Sequence, residues 1–487
     1  MPLSNMEKIK VLFVASEAAP LVKIGGLGDY VGSLPKALLS EASNRDVGIE
    51  LDIRIALPFT QMINPLFIDR DHSFSFTSKH GKKSNRFNVY TATIDSIPHY
   101  ILENLTIPDL QQYVYSADPT EDGEKFISFS LACSELMKKI DWKADIVQCN
   151  DWQTGVLCAW LKSHTPKASP PTKSIFVIHN LPFMGAGTAP ILRDYGIRSV
   201  PHASLPAWGK ELPLLSGIVN ADKVITVSPT YAKEILTPDF GNDLQDFLIT
   251  QQDKLSGILN GIDQGIWDPE TDPFIASNYS CSNLKTRLMN KEHIQLSLSL
   301  EPNPRTPLLV MVSRLDVQKG VNLLVDTLHA LPEVDWQAVI LGTGNLDQEQ
   351  LTRQLEQDLP HQVRVINRFE AALSHQLYAG GDMFLMPSLY EPCGTSQMIA
   401  MRYGCIPIAH AVGGLVDSIR DEEEQRTGFL FSEATAESFS KVLTKALNRY
   451  RNPKEWVIIQ KRAMQQDFSW KNSARKYLEV YKSILKE

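Results

Sequence analysis

The chain has 487 residues, of which 43% are hydrophobic and 21% are charged, and its formal net charge is -8. This length favours two large domains, and this composition is typical of a soluble globular protein. The negative charge argues against a nucleic acid partner, since the longest basic cluster is the short KHGKK segment at 79–83. The six cysteines form no CxxC pair, and the sequence has neither a run of about 18 apolar residues nor a signal-peptide core. We therefore expect a cytosolic protein that does not contact a membrane.

The first half of the chain alternates strand-like and helix-like segments, with polar loops after the strands. A glycine-containing loop at 17–28 follows the first strand and leads into an amphipathic helix that ends near Ser40. The other predicted elements are strands at 8–16, 51–58, 144–151, 173–180 and 221–229, a hairpin at 72–94, and a helix at 126–140. Strands that alternate with helices predict a parallel sheet covered by helices on both faces.

The second half repeats this plan after a looser segment. Residues 270–306 are polar and contain prolines, which predicts an irregular stretch. A strand, a loop with a lysine and a glycine, and a helix then follow at 307–328. Further strands are predicted at 336–345, 362–369 and 382–392. We predict two doubly wound α/β domains joined near residue 268, with ligands bound outside the carboxyl ends of the strands.

Three glycines and a lysine occupy the first loop, KIGGLGD at 23–29. Gly25, Gly26 and Gly28 permit a close backbone approach, and the N–H groups of a helix beginning there suit an anion or a sugar oxygen. Lys23 adds a positive charge. A plain strand-to-helix turn with a solvated lysine explains the same residues, and the G-G-x-G spacing fits the dinucleotide fingerprint poorly. On spacing alone, the turn and the ligand site both remain open.

The second half carries two cations in the corresponding loop, SRLDVQKG. Arg314 can bind a diphosphate through two hydrogen bonds, and Lys319 can act as a point charge. In SLYEPCG, Glu391 precedes a helix, where its carboxylate either caps that helix or faces a ligand. The glycine pair in HAVGGLVDS at 410–418 suits a phosphate group. Because a lysine recurs in equivalent loops of both halves, we favour a ligand site over surface solvation.

Two more polar residues follow strands in the first half. His179 ends the strand FVIHN, and Asp151 lies in CNDWQTG. Each is either a core residue whose hydrogen bonds are made within the protein or a substrate contact. The histidines, cysteines and carboxylates show no zinc spacing, and the sequence has no Walker A loop and no G-x-S-x-G elbow. We therefore expect no metal site.

In this order, the segments resemble bacterial glycogen synthases and plant starch synthases over essentially the whole chain. KIGGLGD resembles the family signature KTGGLGD. Further matching blocks are NDWQTG, VIHNL, ADKVITVSPTYAKEI, GILNGID, SRLDVQKG, PSLYEPCGTSQMIAMRYG, GGLVDS and AMQQDFSWKNSARKYLEVY. The EPCG block, combined with the lysine–glycine opening, identifies this family far more specifically than the fold class does.

The resemblance implies an α/β protein of GT-B fold. Two Rossmann-like domains, at 1–268 and 269–465, would face each other across a cleft, and a helix at 466–487 would cross back to the first domain. The implied activity is transfer of glucose from ADP-glucose to the non-reducing end of an α-1,4-glucan with retention of configuration, without cofactor or metal. The implied location is the bacterial cytoplasm, or the plastid stroma in a plant. Hinges would let the cleft close over the donor and exclude water.

The resemblance also implies roles for individual residues. Lys23 would contact the nucleotide sugar beside Gly26 and Asp29, and Asn260 would lie near the donor. His179 and Asp151 would face the glucose, and His179 would bond a sugar hydroxyl. The other residues expected in catalysis are Glu391 by the glucose ring, and Arg314 and Lys319 at the diphosphate. Further expected substrate contacts are Phe369, Cys393, Gly394, Gly413 and Gly414.

Retention is often achieved by a carboxylate nucleophile. For this fold, however, the resemblance implies front-face attack, in which the leaving phosphate accepts the proton of the incoming hydroxyl. A backbone carbonyl near His179 would then stabilise the oxocarbenium-like sugar. We therefore do not assign Glu391 as a nucleophile.

Three positions depart from the family pattern. Ile24 and Val412 replace threonines, and Phe369 stands where the family usually has a tyrosine stacked on adenine. Position 399 is an isoleucine, where many retaining relatives, but commonly not the synthases, have a second acid. These departures leave two alternatives: a related GT-B transferase that uses UDP-glucose or a small acceptor, and a non-catalytic glucan-binding homologue.

Overall fold

The computed structural model describes residues 7–44, 48–164, 171–331 and 335–486. Residues 1–6, which enter the signal-peptide expectation, lie outside these ranges. The chain forms two compact units, one of Met1–Gly261 with Trp470–Glu487, and one of Ile262–Ser469. Two α/β domains with parallel sheets, as predicted, are present.

The first unit contains a nine-stranded sheet in the described residues, in the order β3-β4-β5-β2-β1-β6-β7-β8-β9. Its strands are β1 (Glu7–Val14), β2 (Ile49–Pro58), β3 (Asp69–His80), β4 (Lys83–Ile94), β5 (Ile97–Asn104), β6 (Ile146–Asn150), β7 (Lys173–Ile178), β8 (Lys223–Thr226) and β9 (Leu255–Gly257). Strands β3, β4 and β5 pair antiparallel, and the remaining pairs are parallel.

Seven helices of the first unit connect these strands in the described residues. They are α1 (Gly26–Ala42), α2 (Pro119–Lys139), α3 (Gly155–Ser163), α4 (Ala189–Asp194), α5 (Pro213–Asn220), α6 (Pro229–Glu234) and α7 (Gln245–Ile249). Helix α2 begins where the Asp118 side chain accepts the Thr120 N–H at 2.8 Å and Pro119 takes the first helical position. Its buried Phe126 and Phe129 join Phe176 of β7 in the main hydrophobic core.

The second unit contains a six-stranded parallel sheet in the order β12-β11-β10-β13-β14-β15. Counted within the unit, this is the 3-2-1-4-5-6 order of dinucleotide-binding folds. The strands are β10 (Leu308–Val312), β11 (Gln337–Leu341), β12 (Val363–Ile366), β13 (Met383–Met386), β14 (Ile406–His410) and β15 (Phe429–Phe431). The helices are α8 (Arg287–Ser297), α9 (Val321–Ala330), α10 (Leu346–Asp358), α11 (Ala371–Gly380), α12 (Ser396–Arg402), α13 (Gly413–Ser418), α14 (Ala436–Tyr450) and α15 (Pro453–Met464).

The last helix, α16 (Trp470–Ile484), belongs to the first unit, where it packs against α1. The hydroxyl of Tyr30 on α1 donates to the hydroxyl of Tyr477 on α16 at 2.7 Å. None of the helices in the described ranges combines the length and the apolar character that a membrane span requires.

The predicted division of the chain differs from the observed one at both ends. The boundary lies after Gly261 and not after residue 268, because Trp267 stacks on His375 of the second unit with ring centroids 4.1 Å apart. The final segment of the first unit begins at Trp470 and not at residue 466. Residues before it remain with the second unit, where Ile262 N–H donates to Phe468 O at 2.8 Å.

Sequence reasoning missed several elements, and strand β5 and helix α8 show why. Strand β5 follows β4 through a two-residue turn at Asp95 and Ser96, both at positive φ. Such turns are usually signalled by Asn-Gly, so this one has no sequence signature. Helix α8 lies in the stretch predicted to be irregular. Its buried positions are mostly polar, so it lacks the apolar periodicity of an ordinary surface helix; they are Arg287, Asn290, Lys291, Ile294 and Gln295.

Candidate active site

Each sheet has a topological switch point, where the strand order reverses. The switch lies between β1 and β6 in the first unit and between β10 and β13 in the second. Ligands of open α/β sheets bind at such points, outside the carboxyl ends of the strands. We therefore describe each unit from the loop after its first strand: the β1 loop (residues 15–25) and the β10 loop (residues 313–320).

The β1 loop is built around a buried carboxylate. Glu17 is only 2% exposed, and its Oε2 accepts the backbone N–H of Ile24 at 2.6 Å and of Gly25 at 3.0 Å. Tyr115 donates to Glu17 Oε1 at 2.7 Å. The anion at the N-terminus of α1 is thus supplied by the chain itself. Sequence reasoning missed Glu17, whose only signal was its position just after a strand.

Lys23 and Asp29 form an exposed pair beside this carboxylate. Lys23 Nζ lies 2.8 Å from Asp29 Oδ1, and the two side chains are 49% and 42% exposed. A Cβ added at Gly26 would meet no atom within 4 Å, so packing does not require a glycine there. Ile24 is also largely exposed, so replacing the family threonine changes the surface of the loop and not its interior. The predicted donor contacts Lys23, Gly26 and Asp29 therefore lie together and are accessible.

Asp151 follows β6 in a strained backbone conformation. Its φ is 54°, and residues in such sparsely populated regions, which cost about 1–3 kcal/mol, cluster at functional sites. Asp151 Oδ1 accepts the backbone N–H of His179 at 2.7 Å and that of Asn180 at 3.4 Å. Burial raises the pKa of the Asp151 carboxyl to about 7; these two hydrogen bonds oppose the rise, and the charge of Glu17 adds to it. Asp151 therefore titrates near neutral pH.

His179 follows β7 as a neutral imidazole. Asn150 Nδ2 donates to the carbonyls of Val14 and Gln148, so its Oδ1 is left to accept from His179 Nε2 at 3.0 Å. Burial lowers the pKa of His179 to about 3. The single ring proton therefore lies on Nε2, and Nδ1 remains a hydrogen-bond acceptor. Asp151 and His179 are brought together, as expected for residues that act on one substrate group.

Tyrosines from α1 and α16 pack behind His179. The ring of Tyr30 meets the imidazole edge-on, with centroids 4.7 Å apart. Besides donating to Tyr477, the Tyr30 hydroxyl accepts from Gln148 Nε2 at 2.7 Å, and Tyr481 donates to Gln148 Oε1 at 2.7 Å. The C-terminal helix thus supports His179 through Tyr30. No local pattern could have found this link, because its members are distant in the sequence.

Asn260 lies in the segment after β9. Its side chain is buried, and its Oδ1 has no hydrogen-bond partner among the described residues. A buried amide oxygen without a partner calls for an explanation, and a ligand hydroxyl would provide one. In the described part of the chain, Asn260 forms no hydrogen bond with Asp151 or His179, so the role of Asn260 at the donor stays a prediction.

In the second unit, the β10 loop directs Lys319 toward Glu391. Lys319 Nζ lies 2.6 Å from Glu391 Oε2, and the two side chains are 17% and 8% exposed. Asp316 accepts the Lys319 N–H at 3.1 Å, which shapes the loop. Gly320 follows at φ 67°, and a Cβ there would lie 2.0 Å from the carbonyl oxygen of Pro387. Only glycine allows this close approach, which brings the loops after β10 and β13 together.

Arg314 lies at the exposed end of the same loop. Its Nη1 is 2.7 Å from Asp316 Oδ2, and its side chain is 60% exposed. A weaker hydrogen bond of 3.4 Å joins its Nη2 to Gln318 Oε1. The two predicted diphosphate contacts thus share one loop, with Lys319 paired to a buried carboxylate and Arg314 paired at the exposed end.

Glu391 is buried and firmly held. Besides Lys319, Ser388 Oγ donates to its Oε2 at 3.0 Å. His410 at the end of β14 is within 2.8 Å of Ser388 O through its Nδ1, and Gly414 N–H donates to Glu391 O at 3.1 Å. The carboxylate is therefore held by groups that follow β10 and β13, and its loop is anchored to residues at and after the end of β14.

The glycines near Glu391 allow close packing of its loop against α13. A Cβ at Gly414 would lie 2.0 Å from the carbonyl oxygen of Cys393, and Gly394 and Gly413 have φ values of 65° and 46°. Val412 is the N-cap residue of α13 and offers no side-chain cap. The predicted contacts Cys393, Gly394, Gly413 and Gly414 thus lie together with Glu391.

Phe369 lies three residues beyond β12 and is 88% exposed. A ring this open is available to stack on a planar group such as a nucleotide base. The structure does not bring Phe369 into contact with Lys319 or Glu391 in the described residues, so its role at the base stays a prediction.

Among the described residues, no three His, Cys, Asp or Glu side chains come together as metal ligands. The six cysteines form no disulfide bond, and burial raises the pKa of the Cys133 thiol well above its usual range. A buried thiol of this kind is unreactive.

Residues 10–250 match the family model for the starch synthase catalytic domain, and residues 296–463 match that for group 1 glycosyl transferases. The chain is 36% identical to the glycogen synthase of Streptococcus mutans, over 98% of this chain and 100% of that protein. The fold is similar to that of the catalytic domain of starch synthase IV from Arabidopsis thaliana bound to ADP and acarbose, with a TM-score of 0.89, 31% identity and coverage of 99% and 100%. Sucrose-phosphate synthase from Thermosynechococcus elongatus, with a TM-score of 0.64, 17% identity and coverage of 98% and 99%, supports the fold alone. The GT-B prediction is confirmed, and the chain belongs to the glycogen and starch synthase family.

Proposed function

We propose that this protein is a glycogen synthase that transfers glucose from ADP-glucose to the non-reducing end of an α-1,4-glucan, with retention of configuration. Its relatives support this proposal, because the curated proteins it matches over their whole length are glycogen synthases. Within the molecule, the observation that carries the proposal is the Lys319–Glu391 pair at 2.6 Å, located at a switch point. A buried cation held in one geometry is what a diphosphate leaving group needs.

We propose that the diphosphate binds to the second unit. Negative charge grows on the phosphate oxygens as the glucosyl bond breaks, and preorganised cations stabilise that charge. Lys319 is preorganised by Glu391, and Arg314 can add a bidentate contact. We propose that the Gly413–Gly414 turn contacts phosphate or sugar oxygens beside them. These two cations supply the positive charge that a metal ion would otherwise provide, so we propose that the reaction needs no metal.

The first unit would act on the glucose. His179 is neutral with a free acceptor nitrogen, so it can accept a hydrogen bond from a sugar hydroxyl without placing a positive charge beside an oxocarbenium-like sugar. Asp151 is tied to the backbone of His179 and can approach the same group. Lys23 would contact the donor from the exposed side of the β1 loop.

We propose front-face attack as the route to retention. The other route would use a carboxylate nucleophile. Glu391 Oε2 accepts from both Lys319 and Ser388, and Asp151 Oδ1 accepts from two backbone N–H groups. Such hydrogen bonds stabilise a carboxylate and weaken it as a nucleophile. In the proposed route, the leaving phosphate accepts the proton of the incoming glucan hydroxyl, and that hydroxyl oxygen forms the new bond on the same face.

The base of the donor distinguishes the leading proposal from its nearest alternative. An exposed phenyl ring at position 369 can stack on adenine or uracil, since every base has a π-face. Together with Ile24 and Val412, this residue favours one alternative: a relative of the same fold that uses UDP-glucose or a small acceptor. A non-catalytic glucan-binding protein is a further alternative, which the intact Lys319–Glu391 pair argues against.

Incubation of the purified protein with glycogen and either ADP-glucose or UDP-glucose tests the proposal. We expect ADP release and longer glucan chains with ADP-glucose. Lys319→Ala should abolish most of this activity, whereas Lys441→Ala, a change of an exposed lysine on α14, should not. Turnover with UDP-glucose alone would support the alternative donor. Tight glucan binding without nucleotide release from either donor would overturn the proposal.

A further inference from the structure

We propose that Glu17 is a positioning residue of the sugar-binding half of this site: an internal anion that holds the β1 loop in its ligand-binding shape and couples that loop to Asp151. The inference rests on the proposed function for its activity readouts. Its central test is the pH dependence of unfolding, which does not require turnover.

Glu17 organises the loop from inside. Its two carboxylate oxygens accept three hydrogen bonds, from Ile24 N, Gly25 N and the Tyr115 hydroxyl. A Cβ added at Gly28 would lie 2.9 Å from Glu17 Oε2 and 3.1 Å from Lys23 Cγ. The glycine at 28 is therefore required by the carboxylate and the lysine stem that pack against it.

This arrangement changes what the β1 loop can bind. A helix N-terminus with free N–H groups would attract a phosphate. Here the N–H groups of Ile24 and Gly25 already donate to Glu17, so this position holds a carboxylate. Lys23 is left on the exposed side with Asp29 as its partner. The loop therefore presents a cation and a glycine surface to the donor, and phosphate binding falls to the second unit.

Glu17 also carries an uncompensated charge. No lysine, arginine or histidine nitrogen lies within 4.0 Å of its carboxylate in the described part of the chain. A buried carboxylate held only by neutral donors is costly to keep in the absence of a functional reason. Its burial in a loop at the switch point therefore points to a role in the site.

Glu17 and Asp151 follow neighbouring strand ends at the switch point, because Val14 of β1 and Cys149 of β6 are register partners. Burial is the main cause that raises the pKa of the Tyr115 phenol, and the charges of Glu17 and Asp151 raise it further. Tyr115 therefore senses both carboxylates. Besides burial, the groups that bear on the Asp151 carboxyl are the backbone N–H groups of His179 and Asn180 and the charge of Glu17; the nearby His179 ring is neutral. Two carboxylates of like charge disfavour each other's ionisation. Removal of the Glu17 charge should therefore make Asp151 easier to ionise.

A mutant cycle on unfolding tests this coupling without requiring activity. The proteins are wild type, Glu17→Gln, Asp151→Asn and the double mutant, each unfolded in urea between pH 5 and 8. In Glu17→Gln, we expect the pH-dependent part of the stability that Asp151 contributes to shift to lower pH. Glu50→Gln, which neutralises an exposed carboxylate on β2, should leave it in place. An unshifted midpoint in Glu17→Gln would overturn the coupling.

Kinetics test the positioning role. Glu17→Asp keeps the charge but withdraws the carboxylate from the N–H groups of Ile24 and Gly25, so we expect the KM for ADP-glucose to rise about tenfold, since near 1.4 kcal/mol of loop alignment is lost. The pH midpoint of Asp151 should stay where it is in wild type. An unchanged KM would overturn the positioning role even if Glu17→Gln did not fold. If the wild-type protein lacks activity, the proposed function fails, but the unfolding cycle still decides this inference.

Discussion

The β1 and β10 loops occupy the same place in their sheets, and each carries a lysine, yet the two lysines are in opposite situations. Lys23 pairs with Asp29 at 2.8 Å in a pair that is nearly half exposed, whereas Lys319 pairs with Glu391 at 2.6 Å in a pair that is largely buried. The carboxylate inside the β1 loop is Glu17, and it accepts backbone N–H groups. The carboxylate beside the β10 loop is Glu391, and it holds the lysine itself.

This difference shows that two loops of similar sequence can be organised for different tasks. In the second unit, the buried carboxylate orients a cation, which suits a site where negative charge develops. In the first unit, the buried carboxylate orients the backbone, and the cation pairs with Asp29 at the surface. At the switch point of the first unit, the buried carboxylates Glu17 and Asp151 follow neighbouring strand ends and repel each other when both are ionised. Charge changes should therefore affect the two units differently.

The largest expected effect concerns Asp151, whose pKa is raised to about 7 from an unfolded value of 3.8. Between these values the folded state binds more protons, so Asp151 stabilises the fold fully below about pH 4 and loses this contribution as pH rises through 7. Asp151→Asn cannot ionise and should remove this pH dependence, a difference on the order of 4 kcal/mol at pH 8 relative to pH 4. Urea unfolding across this range measures it; parallel curves for the mutant and wild type would contradict it.

The next effect concerns the ordered lysine of the second unit. Lys319→Ala should lose about 2–4 kcal/mol of transition-state stabilisation, by analogy with the loss of an electrostatic donor. It would also leave Glu391 buried without its cation, so some loss of stability should accompany it. The measurement is kcat/KM with ADP-glucose, and Lys319→Arg, which retains the charge, serves as the control. Unchanged turnover in Lys319→Ala would mean that the diphosphate binds elsewhere.

A smaller effect should follow from cutting the support behind His179. Tyr477→Phe removes the hydroxyl that accepts from Tyr30, at a cost of about 1 kcal/mol for a buried hydrogen bond. The Tyr30 ring would still pack against the imidazole, so kcat should change little. Thermal unfolding and steady-state kinetics together test this expectation. A large loss of kcat without a loss of stability would show that α16 affects the position of His179 and not only the stability of the fold.

The smallest stability effect belongs to the exposed lysine of the first unit. Asp29→Asn should change the free energy of unfolding by about 0–1 kcal/mol, and less at high salt, because surface ion pairs contribute little. Lys23→Ala should be equally mild for stability but should raise the KM for ADP-glucose if Lys23 contacts the donor. If Asp29→Asn or Lys23→Ala lost as much stability as Lys319→Ala, the proposed difference between the β1 and β10 loops would be wrong.

Much of the site could be predicted because its residues lie in short segments just after strands. Lys319 and Glu391 were both expected at the donor, and the parallel sheet brings the ends of β10 and β13 together. The predicted residues Asp151 and His179 also meet, for the same reason, at the ends of β6 and β7. Parallel strands bring their carboxyl ends to one edge, so residues at those ends converge without a detailed model of packing.

The residues that sequence reasoning missed are those whose role depends on burial. Glu17 looks like any loop glutamate until it is seen to be enclosed by Ile24, Gly25 and Tyr115. Tyr30 looks like a helix core residue, and its link to His179 depends on α16. The place where the chain divides also depends on packing, since Trp267 joins the second unit by stacking on His375.

The sequence by itself determined the fold class, the family and most of the polar residues at the strand ends, because these depend on periodicity and short motifs. Only the tertiary structure decided which of those residues are buried, which carboxylate faces which donor, and so which charges titrate near neutral pH. The physical reason is that the cost of a buried charge depends on every group around it, and those groups come from distant parts of the chain. The KIGGLGD motif indicated a site; its enclosed partner, Glu17, became apparent only in the fold.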